Sequence, residues 1–286
     1  MTAVAASAAT AATGQTAAPL AWRHFPAGPT GFFRAPVLVS GAREAVLIDG
    51  GFTLSDGRAL AEAITATGKT LTTIFVSQSD PDYYFGLGPV RAAFPQARII
   101  AAPATVAAIN ANVQKKLDTW GPQLGDNGPR TLADVVVPAA SDLRALTVDG
   151  QSIDIVDAAG MTDRRYLWTP SLGAIFGGVL VFSGVHVWTA DTNSPALRAA
   201  WVANLDAMAA RQPRVVVPGH MMPGAATDAT AIAYTRAYLV AFDEELPKAA
   251  NSAALIAAMQ ARFPNAGMGV ALDIGAKVAK GEMPWG

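Results

Sequence analysis

The stretch that most constrains this chain is Leu71–Gly86, LTTIFVSQSDPDYYFG. Leu71–Val76 is a short, largely apolar run and predicts a buried strand. Leu87–Phe94 predicts the start of a helix. Asp80 and Asp82 therefore fall on a strand-to-helix loop. A rigid scaffold positions such loops, and binding and catalytic groups concentrate on them. A chain built around this unit alternates strands and helices and folds as an α/β protein.

Composition fits that class. The 286 residues are 51% hydrophobic and 15% charged, enough for a sizeable core. The formal net charge is -1, and no basic run offers a footprint for nucleic acid. No apolar run approaches the roughly 20 residues of a membrane span, so membrane insertion is not expected. Cysteine is absent, which removes disulfides, thiolate metal ligands and a cysteine nucleophile together. Residues 1–20 are Ala-rich and uncharged, and read as a flexible segment ahead of one domain spanning 21–286. They lack the basic start and Leu-rich core of a secretory signal. The composition leaves a periplasmic or secreted location and a cytoplasmic one equally open.

Strands are expected at Gly31–Phe33, Val37–Val39 and Glu44–Gly51, the last ending in the turn Asp49-Gly50-Gly51. Ser55–Gly68 predicts a helix capped by Ser55 or Asp56. Arg98–Ala102 predicts a strand, and Pro103–Leu117 a helix with proline in its first turn. Trp120–Pro138 is rich in Gly, Pro and Asp and reads as a long loop over a site. Asp149-Gly150 marks a hairpin within Leu143–Asp157. Strands follow at Arg165–Thr169 and Gly173–Phe182, then a helix over Asn193–Arg211. Val215–Val217 predicts a buried strand ending at Pro218-Gly219-His220, and the chain from Thr227 to Phe263 predicts helix.

Five stretches carry a resemblance, in order: Leu47–Gly51, Ser77–Gly86, Gly160-Met161-Thr162, Gly177-Gly178 and Pro218-Gly219-His220. Together they resemble the metallo-β-lactamase superfamily, whose signature loop is T-H-x-H-x-D-H-x-x-G. The resemblance implies a four-layer αββα sandwich and a site for two metal ions. Laid on that pattern, Gln78, Asp80 and Tyr83 stand at histidine positions, as does Met161. Gly178 stands where a bridging Asp is implied. Only Asp82 and His220 keep the family's residue. Gln and Met are poor zinc ligands, and zinc normally takes about four from His, Cys and carboxylate. No tightly bound cofactor is therefore expected. Asp80, Asp82 and His220 remain a two-carboxylate, one-histidine set that would suit a single weakly held divalent ion, zinc or iron.

Each of these residues also has a plain structural reading. Asp49 suits a turn that pins a loop backbone. Asp80-Pro81-Asp82 is compatible with a turn and a helix cap, Tyr83 and Tyr84 with core aromatics, and His220 with a satisfied structural histidine. His186 has no counterpart among the family ligands. Two functions stay open on this reading. One is a divergent hydrolase acting on an ester, lactone or amide. In it Asp82 and His220 share acid–base work, Asp80 holds a metal or water, and Tyr83 donates to a developing oxyanion. The other is a non-catalytic protein that binds a small apolar ligand in the same cleft. Tyr84, Phe85, Trp120, Trp168, His186 and Trp188 are the candidate lining residues. Either way the partner is a small molecule, and the sequence leaves the oligomeric state open.

Overall fold

A computed structural model describes residues 18–285. Most of the Ala-rich segment, residues 1–17, lies outside them. Its last part does not behave as a loose tail. Leu20 is buried among the strands, and the Ala18 carbonyl accepts a hydrogen bond from Gln151 Nε2 at 2.8 Å.

Two sheets stack between helical layers. The first runs in the order β1 (Ala21–His24), β2 (Val37–Ser40), β3 (Glu44–Ile48), β4 (Thr70–Val76), β5 (Arg98–Ala101), β6 (Ala139–Ala140). Its β1–β3 pairs are antiparallel and its β3–β6 pairs parallel. The second contains β7 (Ala145–Val148), β8 (Gln151–Asp157), β9 (Arg165–Thr169) and β10 (Ala174–Phe176) as an antiparallel meander. A parallel pair, β11 (Phe182–Ser183) with β13 (His220–Met221), stands apart from both sheets, and β12 (Val215–Val216) extends the second sheet beside β10.

Period-two alternation builds the layers. Val37, Val39, Val46, Ile48 and Phe75 face inward and meet Ile153, Ile155, Leu167, Ala174 and Phe176 of the second sheet. The intervening Leu38, Ala45, Leu47, Ile74 and Val76 face outward. There they join Leu60 and Ile64 of α1 (Leu54–Ala66), Leu87 and Val90 of α2 (Leu87–Ala93), and Ile109 and Val113 of α3 (Pro103–Leu124). On the other side α4 (Pro195–Ala210) brings Trp201, Leu205 and Met208 against Tyr166 and Ile175. α5 (Thr230–Glu245), α6 (Ser252–Arg262) and α7 (Gly269–Ala279) complete the helical C-terminal part. The architecture is the expected αββα sandwich. No helix of the described residues is long and apolar enough to cross a membrane.

Several local expectations need correction. Gly31–Phe33 is not a strand: Pro29–Gly31 forms a 3-10 turn, and Phe32 and Phe33 take φ of 54° and 56°. Thr53, not Ser55 or Asp56, caps α1, in a reciprocal capping box with Asp56. Trp120 does not begin a loop. An apolar stripe of Ile109, Val113, Leu117, Trp120 and Leu124 continues at helical spacing, and its packing carries α3 through Pro122 to Leu124. Gly173–Phe182 is not one strand. β10 stops at Phe176, and Gly177 and Gly178 turn the chain at φ of 68° and 73°.

Candidate active site

The loop after β4 is fixed from below by Asp49. Its carboxylate accepts from the Ser77 backbone N–H at 2.8 Å and from Ser77 Oγ at 2.8 and 2.9 Å. Ser77 Oγ in turn accepts from the Gly178 N–H at 2.8 Å. Asp49 thus pins the loop to the glycine turn of the second sheet. Its own φ of 65° is the left-handed turn that the following Gly50-Gly51 announces.

A second device comes from Arg34, in the apolar run GFFRAPVLV. An isolated antiparallel bridge sets Arg34 opposite His220, through Ala35 N to Gly219 O at 3.1 Å and Met221 N to Phe33 O at 2.8 Å. The Arg34 side chain is fully buried. Its Nη2 donates to Asp49 Oδ2 at 2.8 Å, and its Nη1 to the Gly219 carbonyl at 2.5 Å. Nε lies 3.6 Å from Asp82 Oδ2. The guanidinium stacks on Tyr83, 3.5 Å from the ring centre. One cation therefore spans both acidic residues, Asp49 and Asp82.

The same bridge settles the state of His220. Its Nδ1 lies 2.7 Å from the Phe32 carbonyl. A carbonyl only accepts, so Nδ1 carries the proton and Nε2 presents its lone pair. That lone pair faces Asp82 Oδ2 at 3.5 Å. Among the described residues Asp82 Oδ2 and Arg34 Nε are buried without a hydrogen-bond partner. Burial pushes the Asp82 carboxyl up to about 7, with Arg34 pulling against it and Asp80 adding to it. Burial, with Arg34 alongside, drives His220 down to about 3, so its ring is neutral. Burial alone would raise Asp80 as well. Lys116, 3.0 Å away, together with Arg164 outweighs it and holds that carboxyl below its ordinary range.

Asp82 and His220 open into a cavity of ≈ 40 Å³. Phe32, Phe52, Trp120, Trp188 and Met268 form its apolar walls, and Asp80, Asp82, Lys116 and His220 its polar groups. Phe32, Phe52 and Trp120 meet edge-on at centroid distances of 5.0 to 6.1 Å. The volume is well below the several hundred Å³ of a drug-sized site and suits a small group.

Not every expected residue reaches this cavity. Asp80, Asp82 and His220 do, as do Trp120 and Trp188. Tyr83 is buried, and its hydroxyl donates to the Gly178 carbonyl at 3.2 Å. That donor is engaged with the backbone. Tyr84 is also buried, and Phe85 lies one layer back, stacked on Phe52 at 6.1 Å. Trp168 is on β9 under the Arg211 guanidinium, 5.3 Å away. His186 is buried against the Tyr238 hydroxyl at 3.0 Å. Met161 packs in the core. The sequence reading missed Arg34, Lys116, Phe32, Phe52 and Met268. Arg34 did leave a trace, as a lone charge inside an apolar run.

The residues do not fit a zinc pair. Among the described residues no three His, Cys, Asp or Glu side chains are grouped to hold a metal ion. Asp80, Asp82 and His220 line one cavity, but protein cations stand beside both carboxylates. Asp80 is paired with Lys116, and Asp82 faces Arg34. Gln78 leans its Nε2 toward Asp80 Oδ2 at 3.4 Å. The bridging position is closed as well as changed. A Cβ on Gly178 would come within 2.0 Å of the Arg165 carbonyl oxygen, closer than real Cβ atoms approach.

A family model described as the metallo-beta-lactamase superfamily matches residues 29–220, and the chain belongs to that superfamily. Solved structures agree on the fold. A beta-lactamase domain protein from Burkholderia ambifaria is 17% identical with a TM-score of 0.59, covering 93% of this chain and 85% of its own. A metallo-beta-lactamase family protein from Thermus thermophilus is 18% identical with a TM-score of 0.57, covering 92% of each chain. A metallo-beta-lactamase from Pontibacter korlensis is 19% identical with a TM-score of 0.52, covering 72% of this chain and 87% of its own. No curated protein matches the chain.

Proposed function

We propose that this protein hydrolyses a small ester, lactone or amide by acid–base catalysis, without a tightly bound metal. The observation that carries this is the pairing of His220 Nε2 with Asp82 Oδ2 at 3.5 Å on the cavity wall, with the histidine tautomer set by Phe32. Two acceptors flank one position, which suits a water that gives a hydrogen bond to each. As that water attacks the substrate carbonyl carbon, Asp82 takes its proton. Asp82 then returns the proton to the leaving oxygen or nitrogen as the acyl bond breaks. A carboxyl near 7 is well matched to both transfers at neutral pH. Lys116, which lines the same cavity, supplies the positive charge for the developing oxyanion.

A screen of short-chain esters, lactones and amides tests this, with Asp82→Asn and His220→Ala as controls. Turnover by the native chain should fall about a hundredfold or more in each variant while the fold persists. Turnover indifferent to both variants defeats the reading. The apolar walls and ≈ 40 Å³ volume favour a second reading, a protein that binds a small apolar ligand. Saturable ligand binding with no turnover of any substrate would support it.

A further inference from the structure

We propose that Arg34 is the resident cation of this site, holding the acidic groups that a divalent ion would need, so that metals bind only in competition with it. The proposal rests on the geometry of Arg34 and stands whether or not the cleft is catalytic. A single guanidinium reaches Asp49 at 2.8 Å, the Gly219 carbonyl at 2.5 Å and Asp82 at 3.6 Å. Of these groups, Gly219 directly precedes His220 and Asp82 lies 3.5 Å from its Nε2, and His220 is the one family histidine that the chain retains. An arginine does not lose its proton in a protein, so the charge is permanent. It hydrogen-bonds Asp49, sets a positive charge 3.6 Å from Asp82, and repels a second cation placed within a few ångströms.

The backbone is shaped for this contact. Gly219 precedes His220, and a Cβ there would stand 3.0 Å from Arg34 Nη1 and 2.2 Å from the Gly178 oxygen. Glycine lets the guanidinium lie against the strand. The Tyr83 ring, at what is a histidine position in the family pattern, covers the face of the same guanidinium. Lys116 repeats the arrangement at Asp80, 3.0 Å away. Both carboxylates of the loop thus face a protein cation.

Zinc titration of the full chain tests the proposal, using native protein, Arg34→Met and Lys116→Met. After incubation with excess zinc and desalting, elemental analysis of the native chain should find well under one zinc per chain. Added zinc or chelator should leave its Tm unchanged within about 1 °C, because an ion bound only to the native state must stabilise it. Arg34→Met should bind zinc about a hundredfold more tightly than the native chain, the order expected when a buried like charge is removed from nearby. Lys116→Met, which touches only the more exposed carboxylate, should gain less. Stoichiometric zinc in the native chain with a raised Tm would overturn the proposal, as would a folded Arg34→Met with no gain in affinity. Should Arg34→Met not fold, Arg34→Gln keeps much of the shape without the charge, and the same two results apply to it.

Discussion

Arg34 and His220 face each other across an isolated backbone bridge, and from it each is led to the same carboxylate, Asp82. Arg34 is also bound to Asp49, so its removal leaves two buried acids without their cation. Arg34→Met should therefore cost about 3–5 kcal/mol, as breaking one side of a buried ion pair does. Lys116→Met breaks a pair whose side chains are 24% and 23% exposed, and should cost about 1 kcal/mol or less. Chemical denaturation of the two variants checks the contrast. Equal costs would mean that Arg34 does not organise the site.

Gly178 makes a second, steric prediction. The family pattern implies Asp there, and the simplest way to rebuild a metal site would be Gly178→Asp. At φ of 73°, with the Arg165 carbonyl oxygen 2.0 Å from any Cβ, the substitution meets both backbone strain and a clash. The strain alone costs about 1–3 kcal/mol. Gly178→Asp should lose more stability than that and gain no metal, and Gly178→Ala should lose nearly as much. A stable, zinc-binding Gly178→Asp would show that the turn can rearrange.

The layers are legible in the sequence because strand alternation is a local pattern: Val46 and Ile48 inward, Leu47 outward. The strand-to-helix loop is legible for the same reason. Arg34 is not, because its partner Gly219 is 185 positions away, and nothing near Arg34 announces the bridge. Lys116 is hidden similarly, since only tertiary packing brings α3 over the loop. Trp120 reads as a loop residue because Gly121-Pro122 is a strong local stop signal. The apolar stripe of α3 overrides it. Tyr83 invites a catalytic hydroxyl by its position, and the carbonyl that engages it lies on the distant Gly178 turn.

Lys116 and Tyr83 are rival candidates for the group that meets the developing negative charge. If Lys116 meets the developing negative charge, Lys116→Met should lower kcat/KM about a hundredfold on a responsive substrate, chiefly through kcat. Tyr83→Phe removes only a hydroxyl bonded to a backbone carbonyl. It should change kcat by less than about threefold and cost about 1 kcal/mol of stability. The reverse ranking would restore the tyrosine and remove the lysine from the chemistry.

Asp82 and His220 also predict how stability depends on pH. Asp82 is raised from its ordinary 3.8 to about 7. Its contribution is fully present below about pH 4 and is lost as pH rises through 7. His220 is lowered from 6.5 to about 3. Its contribution is present above about pH 6.5 and is lost as pH falls toward 3. Between about pH 4 and 6.5 the two slopes have opposite signs, and each approaches 1.4 kcal/mol per pH unit at most, the value for one proton. In the native chain they largely cancel. Asp82→Asn leaves the histidine slope alone, so its stability should rise with pH across that window relative to the native chain. His220→Gln leaves the carboxyl slope, so its stability should fall. The double variant should run parallel to the native chain. Denaturant midpoints measured at half-unit pH steps read all four curves. Parallel curves for the native chain and Asp82→Asn would show that Asp82 is not raised in the folded protein, and would remove it as a proton carrier at neutral pH.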